Sequence, residues 1–310
     1  MPSTQASPPC RTSPESIGEL RVVLAREREQ GKDSAHGKRA IRVLAGLLDS
    51  PRDTAMYSIT HLAEQHGVHA STLTRLAKNL GFSGFADFQG VFRKHVRNDQ
   101  NFYSQQADAL LHHEKNVGGA DSVSRLLNKV SGTEIDNIQR MRHDLDAETL
   151  IDAAQILASA PRVRTHGLRQ SFAIAVYLSY VLGLLRNDVS VLGSFEHGIA
   201  HSLAQLQPKD ALLVVAFTPY TRRTIQAAEI AAKHGLTVVA ITDSHASPLS
   251  SVAKHSFIST ATGAFIGNSV GASFVLAEIL VSMVAHELGD ESIASLERRE
   301  SFIAEERIEF

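Results

Sequence analysis

Two short stretches of the chain hold side chains suited to anion chemistry: Gly167-Leu168-Arg169-Gln170-Ser171 and Thr218-Pro219-Tyr220-Thr221-Arg222-Arg223-Thr224. The hydroxyls of Ser171, Thr218, Tyr220, Thr221 and Thr224 can donate to phosphate or carboxylate oxygens, and Arg169 and Arg222 can add bidentate contacts. Each stretch lies between a short apolar run and a helical pattern. Its polar groups therefore gather at a helix N-terminus, where free N–H groups and the helix dipole attract negative charge. Helix capping accounts for Ser171 or Thr221 equally well.

A third stretch, Ser58–Phe88, suits a different partner. Its spacing predicts a helix over Ile59–His66, a turn at Gly67 and a second helix over Ala70–Leu80. Leu62, Ala63, Val68, Leu73 and Leu76 pack the two helices across each other, Ala63 being small at the crossing. The second helix is left with an outer face of Ser71, Thr72, Thr74, Arg75, Lys78 and Asn79, which holds no carboxylate. Phosphates and base edges in a DNA major groove call for that set of donors. Ser58 and Thr60, at the start of the first helix, are further candidates for DNA contact. An ordinary helical hairpin with a solvated face is the alternative.

Other constellations are thinner. His197 and His201 have the i, i+4 spacing of a helical metal site, but no third ligand stands near. Glu196 beside His197 forms a candidate acid/base pair for isomerisation. Glu278 interrupts an apolar run, either at a pocket mouth or an interface, or as a satisfied buried acid. The sequence contains no phosphate-binding loop of the NTPase kind, no HExxH and no Gly-rich dinucleotide fingerprint, so no cofactor and no metal are expected.

The elements around these residues divide the chain. With 310 residues, 43% of them hydrophobic, it can build two cores. The net charge of −2 hides an asymmetry: residues 36–98 carry nine Lys/Arg against four Asp/Glu, and residues 99–310 carry 17 against 24. Residues 1–16 form a Pro/Ser/Thr-rich tail expected to be disordered. Residues 17–98 read as a compact all-α domain of five helices, including one over Lys38–Leu48 that stops at Pro51 and one over Ala86–Val96. Phe82 and Phe85 are expected to plug its core. Residues 99–145 read as a helical linker, a place for dimer contacts. From 146 to 290, apolar runs at Val163–Thr165, Val189–Leu192, Ala211–Phe217, Leu236–Thr242 and His255–Ser259 alternate with helices, which means a five-stranded parallel sheet wrapped on both faces. Residues 291–310 form a charged, helical tail. Cys10 is the sole cysteine, so no disulfide framework holds the fold and a reducing, cytoplasmic setting is expected. No cleavable signal is visible, and the apolar run Phe172–Leu185 is too short to span a bilayer.

On the stretches SITHLAEQHGV, TLTRLAKNLGFSGFADF, GLRQS, TPYTRRT and AITDSHASPLSSVA, the chain resembles transcriptional regulators of the RpiR/MurR type. These join an N-terminal helix-turn-helix to a C-terminal sugar isomerase (SIS) domain, and the resemblance runs from about Ile17 to Leu288. It implies operator DNA, an inverted repeat, as one partner and a phosphorylated sugar or related anionic metabolite as the other. It also implies a flavodoxin-like sheet and a homodimer or homotetramer. Thr72, Arg75 and Lys78 match the family's recognition-helix positions; Ser171 matches its first-loop serine, and Thr218 and Thr221 match hydroxyls of the second. Three departures stand out. Arg169 replaces a frequent Gly, Ala216 to Thr221 replaces Ser-x-Ser-Gly-x-Thr, and His69 replaces a Ser N-cap. An Arg-centred site would prefer a carboxylate, or hold phosphate from a new direction. A sugar-phosphate isomerase or lyase with an accessory helical domain is the alternative function.

Overall fold

The computed structural model describes residues 13–30, 37–112, 120–193 and 198–307. The chain forms two compact units, Met1–Phe102 and Tyr103–Phe310.

The first unit contains α1 (Ile17–Gln30), α2 (Lys38–Asp49), α3 (Pro51–Met56), α4 (Ile59–Gln65), α5 (Ala70–Asn79) and α6 (Phe85–Gln100). Its core is Leu20, Leu44, Leu47, Leu62, Leu73 and Leu76 closed by Phe88 and Phe92, all essentially buried. Phe82 and Phe85 join it, their rings 5.3 and 5.7 Å from that of Phe88. The helix α3 is absent from the five-helix reading. There Pro51 was only a stop, whereas here it also opens the next helix at a position where no backbone N–H is needed. Thr54 Oγ1 donates to the Leu47 carbonyl and Gln89 Nε2 to those of Thr54 and Tyr57, each at 2.8 Å, tying α3 to α2 and α6.

The second unit is a parallel sheet with strand order β2-β1-β3-β4-β5. Its strands are β1 (Val163–His166), β2 (Val189–Val191), β3 (Ala211–Ala216), β4 (Thr237–Thr242) and β5 (His255–Ile258). The helices are α7 (Phe102–His112), α8 (Ala120–Asp144), α9 (Ala147–Ser159), α10 (Ser171–Leu185), α11 (Gly198–Ala204), α12 (Arg222–Lys233), α13 (Gly271–Leu288) and α14 (Asp290–Glu306). Every residue of β3 is buried, because both sheet faces are covered. Strand alternation sends Ala211, Leu213 and Val215 into a core with α9, α10 and α13, and Leu212, Val214 and Ala216 into another with α12. The connection between β4 and β5 holds only a 3₁₀ turn, at Pro248–Ser251.

Two segments read from the sequence as linker and tail pack on this unit. From α8, Met141 is buried, Asn137 donates to the Thr262 carbonyl at 2.8 Å, and Glu134 accepts the N-terminal amide of α13 at Gly271. From α14, Ser295 donates to the Leu184 carbonyl at the end of α10. Among the described residues α13 alone is long and apolar enough to cross a membrane, and its Leu276, Ala277, Leu280 and Val284 are fully buried in the core.

Candidate functional site

In the first unit α4 is started by Ser58, whose hydroxyl accepts the His61 amide at 3.3 Å. Gly67 takes φ +62° in the turn, a conformation that favours glycine. The helix α5 then begins after His69, which is extended and makes no side-chain cap. Leu73, Leu76 and Ala77 face the core. Ser71, Arg75, Lys78 and Asn79 are exposed, and Thr72 and Thr74 are half-buried. Thr74 spends its hydroxyl proton on the Ala70 carbonyl at 3.2 Å. Ser58 and Thr60 are exposed one helix earlier. The six polar residues of α5 thus lie on one acid-free face held by a packed apolar face.

In the second unit the topology selects the second site. The chain leaves β1 toward β2 on one side, and β3 leads to β4 and β5 on the other. The carboxyl ends of β1 and β3 therefore form the crevice at which open parallel sheets bind ligands. Both polar loops open there. Arg169, Ser171, Thr221 and Thr224 line one small cavity with Tyr103, Gln170, Pro219 and Asn268. Neither Ser171 nor Thr221 uses its side chain as a helix cap, so their hydroxyls are not accounted for by capping. Thr224 is 1% exposed and its hydroxyl has no hydrogen-bond partner among the described residues. Such a buried orphan costs about 1–3 kcal/mol and calls for an acceptor or donor.

The remaining candidates lie elsewhere. Tyr220 points to the β4 loop, where its hydroxyl donates to Asp243 Oδ1 at 2.7 Å; burial pushes its phenol up, and the Asp243 carboxylate adds to that. The Thr218 side chain faces the same hydroxyl, and its amide donates to Asp243 Oδ2 at 3.0 Å. Arg222 is exposed on the first turn of α12, outside the cavity lining. Asp243 is thus the brace of the second loop. Asn268 laces the three loops together: its Nδ2 donates to the Thr218 carbonyl, and its backbone exchanges two hydrogen bonds with the Gln170 amide. Sequence reasoning missed Asn268, Gln170 and Tyr103, since isolated amides and a distant tyrosine carry no spacing signal.

Arg169 adopts φ +58°, the left-handed conformation that glycine takes without strain. Its guanidinium lies 5.2 Å from the Tyr103 ring centroid and reaches the Pro219 carbonyl at 3.4 Å. With these side chains in place the cavity holds only about 20 Å³. His166, at the end of β1, is buried, and burial pushes its imidazole below the ordinary histidine value, against a smaller opposing effect of the Leu192 backbone. Glu196 and His197 lie outside the described residues. His201, the other half of the metal pair, is on α11 near Gln205. Glu278 is exposed on α13 and accepts a hydrogen bond from Tyr177 at 3.2 Å, as an interface or rim acid would be placed.

Comparison with known proteins agrees with both halves. Residues 35–98 match the helix-turn-helix domain of the rpiR family, and residues 156–285 match the SIS domain. An uncharacterized HTH-type transcriptional regulator of Clostridium perfringens is 23% identical over 260 residues, covering 81% of this chain and 89% of that protein. The HTH-type transcriptional regulator RpiR of Escherichia coli K12 is 25% identical over 221 residues, 71% of each chain. The structure of Vibrio vulnificus NanR complexed with ManNAc-6P superposes with a TM-score of 0.52 at 22% identity, covering 91% of this chain and 98% of that one, which shows a shared fold. An acid-free helix face in an all-α unit, followed by a parallel sheet with polar loops at its switch point, agrees with these matches: residues 35–98 carry the helix-turn-helix domain of the rpiR family and residues 156–285 a SIS domain, the pairing for which the chain resembles HTH-type transcriptional regulators.

Proposed function

We propose that this protein is a cytoplasmic regulator that sets α5 into the major groove of operator DNA and holds a phosphorylated sugar or related anionic metabolite between the β1 and β3 loops. The observation that carries the proposal is the exposed face of α5, six polar side chains without a carboxylate. On this reading Arg75 reads a base edge, and Lys78 contacts phosphate. Ser71, Thr72, Thr74 and Asn79 fill the remaining groove contacts, and Ser58 and Thr60 meet the backbone. The ligand half rests on the orphaned Thr224 hydroxyl beside Ser171, Thr221 and Arg169. NanR, whose fold this chain shares, was solved with a phosphorylated amino sugar, which supports an anionic sugar as the class of effector.

The regulator acts as a homodimer or homotetramer on an inverted repeat, with half-sites about one helical turn apart. Phe172, Val176 and Tyr180, exposed by 44%, 41% and 65%, recur every four residues along one side of α10, and a second copy would cover them. The effector shifts DNA binding through different affinities for two arrangements of the protein.

The test is a footprint on the DNA upstream of the protein's own gene at two salt concentrations, with and without sugar phosphates. Protection of an inverted repeat, weakening steeply with salt, is expected. Arg75→Ala should weaken that site by roughly 1–3 kcal/mol and relax its specificity. Equal loss on random DNA would remove Arg75 from base reading.

A further inference from the structure

The first unit has a second basic feature outside its recognition helix. Arg39 and Arg42, one helical turn apart on α2, line an open notch with Val43, Gln65, His66 and Gly67. The notch has a volume of about 640 Å³ and no carboxylate in its lining. Arg39 donates one guanidinium N–H to the Gly67 carbonyl at 2.8 Å, which leaves the rest of its five donors for another acceptor. Both arginines are exposed, and Arg42 has no hydrogen bond or ion pair among the described residues. His66 is fixed beside them because Gly46 leaves room: a Cβ there would stand 2.5 Å from the imidazole.

Position gives the notch its partner. Gly67 lies in the turn that leads into α5, only four positions before Ser71 on the exposed face of that helix. That stretch of chain spans at most about 14 Å, close to the roughly 12 Å width of the major groove. A helix entering the groove by its N-terminal end brings the preceding turn over the sugar-phosphate strand at the groove's edge. We infer that Arg39 and Arg42 form a seat for a DNA backbone phosphate at the rim of the groove that α5 enters. The inference rests on the DNA-binding reading and adds to it a sequence-independent contact supplied by α2. Arg39 is held by the turn it braces, so it orients the seat, while Arg42 supplies an uncommitted charge.

The experiment uses the full chain and a 30-base-pair duplex of mixed sequence, so no operator need be known. Binding is titrated at several salt concentrations for wild type, Arg42→Ala and Arg42→Lys. Losing one phosphate contact removes about 0.9 from the slope of log affinity against log salt. Between 50 and 200 mM salt, Arg42→Ala should therefore lose about threefold less affinity than wild type. Arg42→Lys should keep the wild-type slope. An unchanged slope in Arg42→Ala, with wild type binding normally, overturns the seat and leaves the recognition helix untouched. Wild type that binds no duplex at any salt overturns both readings together.

Discussion

Gly167 stands where the β1 loop passes close against the first turn of α10, so it is the place to test the packing of that loop. A methyl group added there would lie 2.6 Å from the Ser171 carbonyl oxygen, 2.9 Å from its carbon and 3.1 Å from its Cβ. A relaxed C···O contact is about 3.3 Å or more, so loop and helix must part by roughly 0.7 Å. The obstacle is the first turn of α10 and not the tip of a flexible side chain, so the strain cannot be shed locally. Overpacking of this kind costs about 1–3 kcal/mol. For a unit of this size, each kcal/mol lowers the melting temperature by about 2–4 °C, so Gly167→Ala should melt roughly 2–12 °C below wild type. Gly183, in the interior of α10, supplies a contrast, because an added Cβ there meets nothing within 4 Å. The same substitution in a helix interior gains about 0.5–1 kcal/mol, which raises the transition by roughly 1–4 °C. Scanning calorimetry of both variants decides the matter. Gly167→Ala melting with wild type would refute the close-approach argument, and Gly183→Ala melting below wild type would refute the open space around Gly183.

Three further outcomes follow from other sites. Thr224→Val replaces a buried, unpartnered hydroxyl by a methyl of similar shape; the ligand-free protein should gain about 1 kcal/mol, while inorganic phosphate should stabilise it less than wild type in a thermal-shift titration. His69→Ser should give α5 the side-chain cap it lacks and stabilise the first unit by about 0.5–2 kcal/mol, read from denaturant midpoints. His166 is depressed below its unfolded value by burial; the unfolded chain therefore takes up a proton first as pH falls below about 6.5. Stability is fully present above that pH and lost below it, down through the folded value. Wild type should consequently lose melting temperature faster than His166→Gln between about pH 7 and pH 5, and parallel curves would remove His166 as a source of the acid sensitivity.

Much of this was legible in the residues because the signals are local. The recognition face follows from helical spacing and the absence of acids on one side of α5. The β3 and β4 strands follow from unbroken apolar runs that only a doubly covered sheet can bury. Pro51 shows where local reading falls short, since one residue both ends α2 and opens α3. The cavity shows it more sharply. The two loops were visible as polar turns, yet which hydroxyls converge is set by the tilt of each loop against Asp243 and Asn268. Thr218 and Thr224 look alike in the sequence; one turns to the half-buried Tyr220 and the other to the cavity wall. Tyr103 reaches Arg169 across 66 positions of chain, a contact that no window of sequence contains.

The left-handed backbone at Arg169 also bears on how ligand preference can change over generations. A residue at φ +58° already has the shape that glycine prefers, so exchanging the two leaves the loop in place. Glycine and arginine codons differ by a single base. The position is therefore a hinge for inheritance: one mutation inserts or withdraws a guanidinium in the crevice while the sheet, the braces and the helical unit are passed on unaltered. A lineage can retune what it senses there without first relearning how to fold.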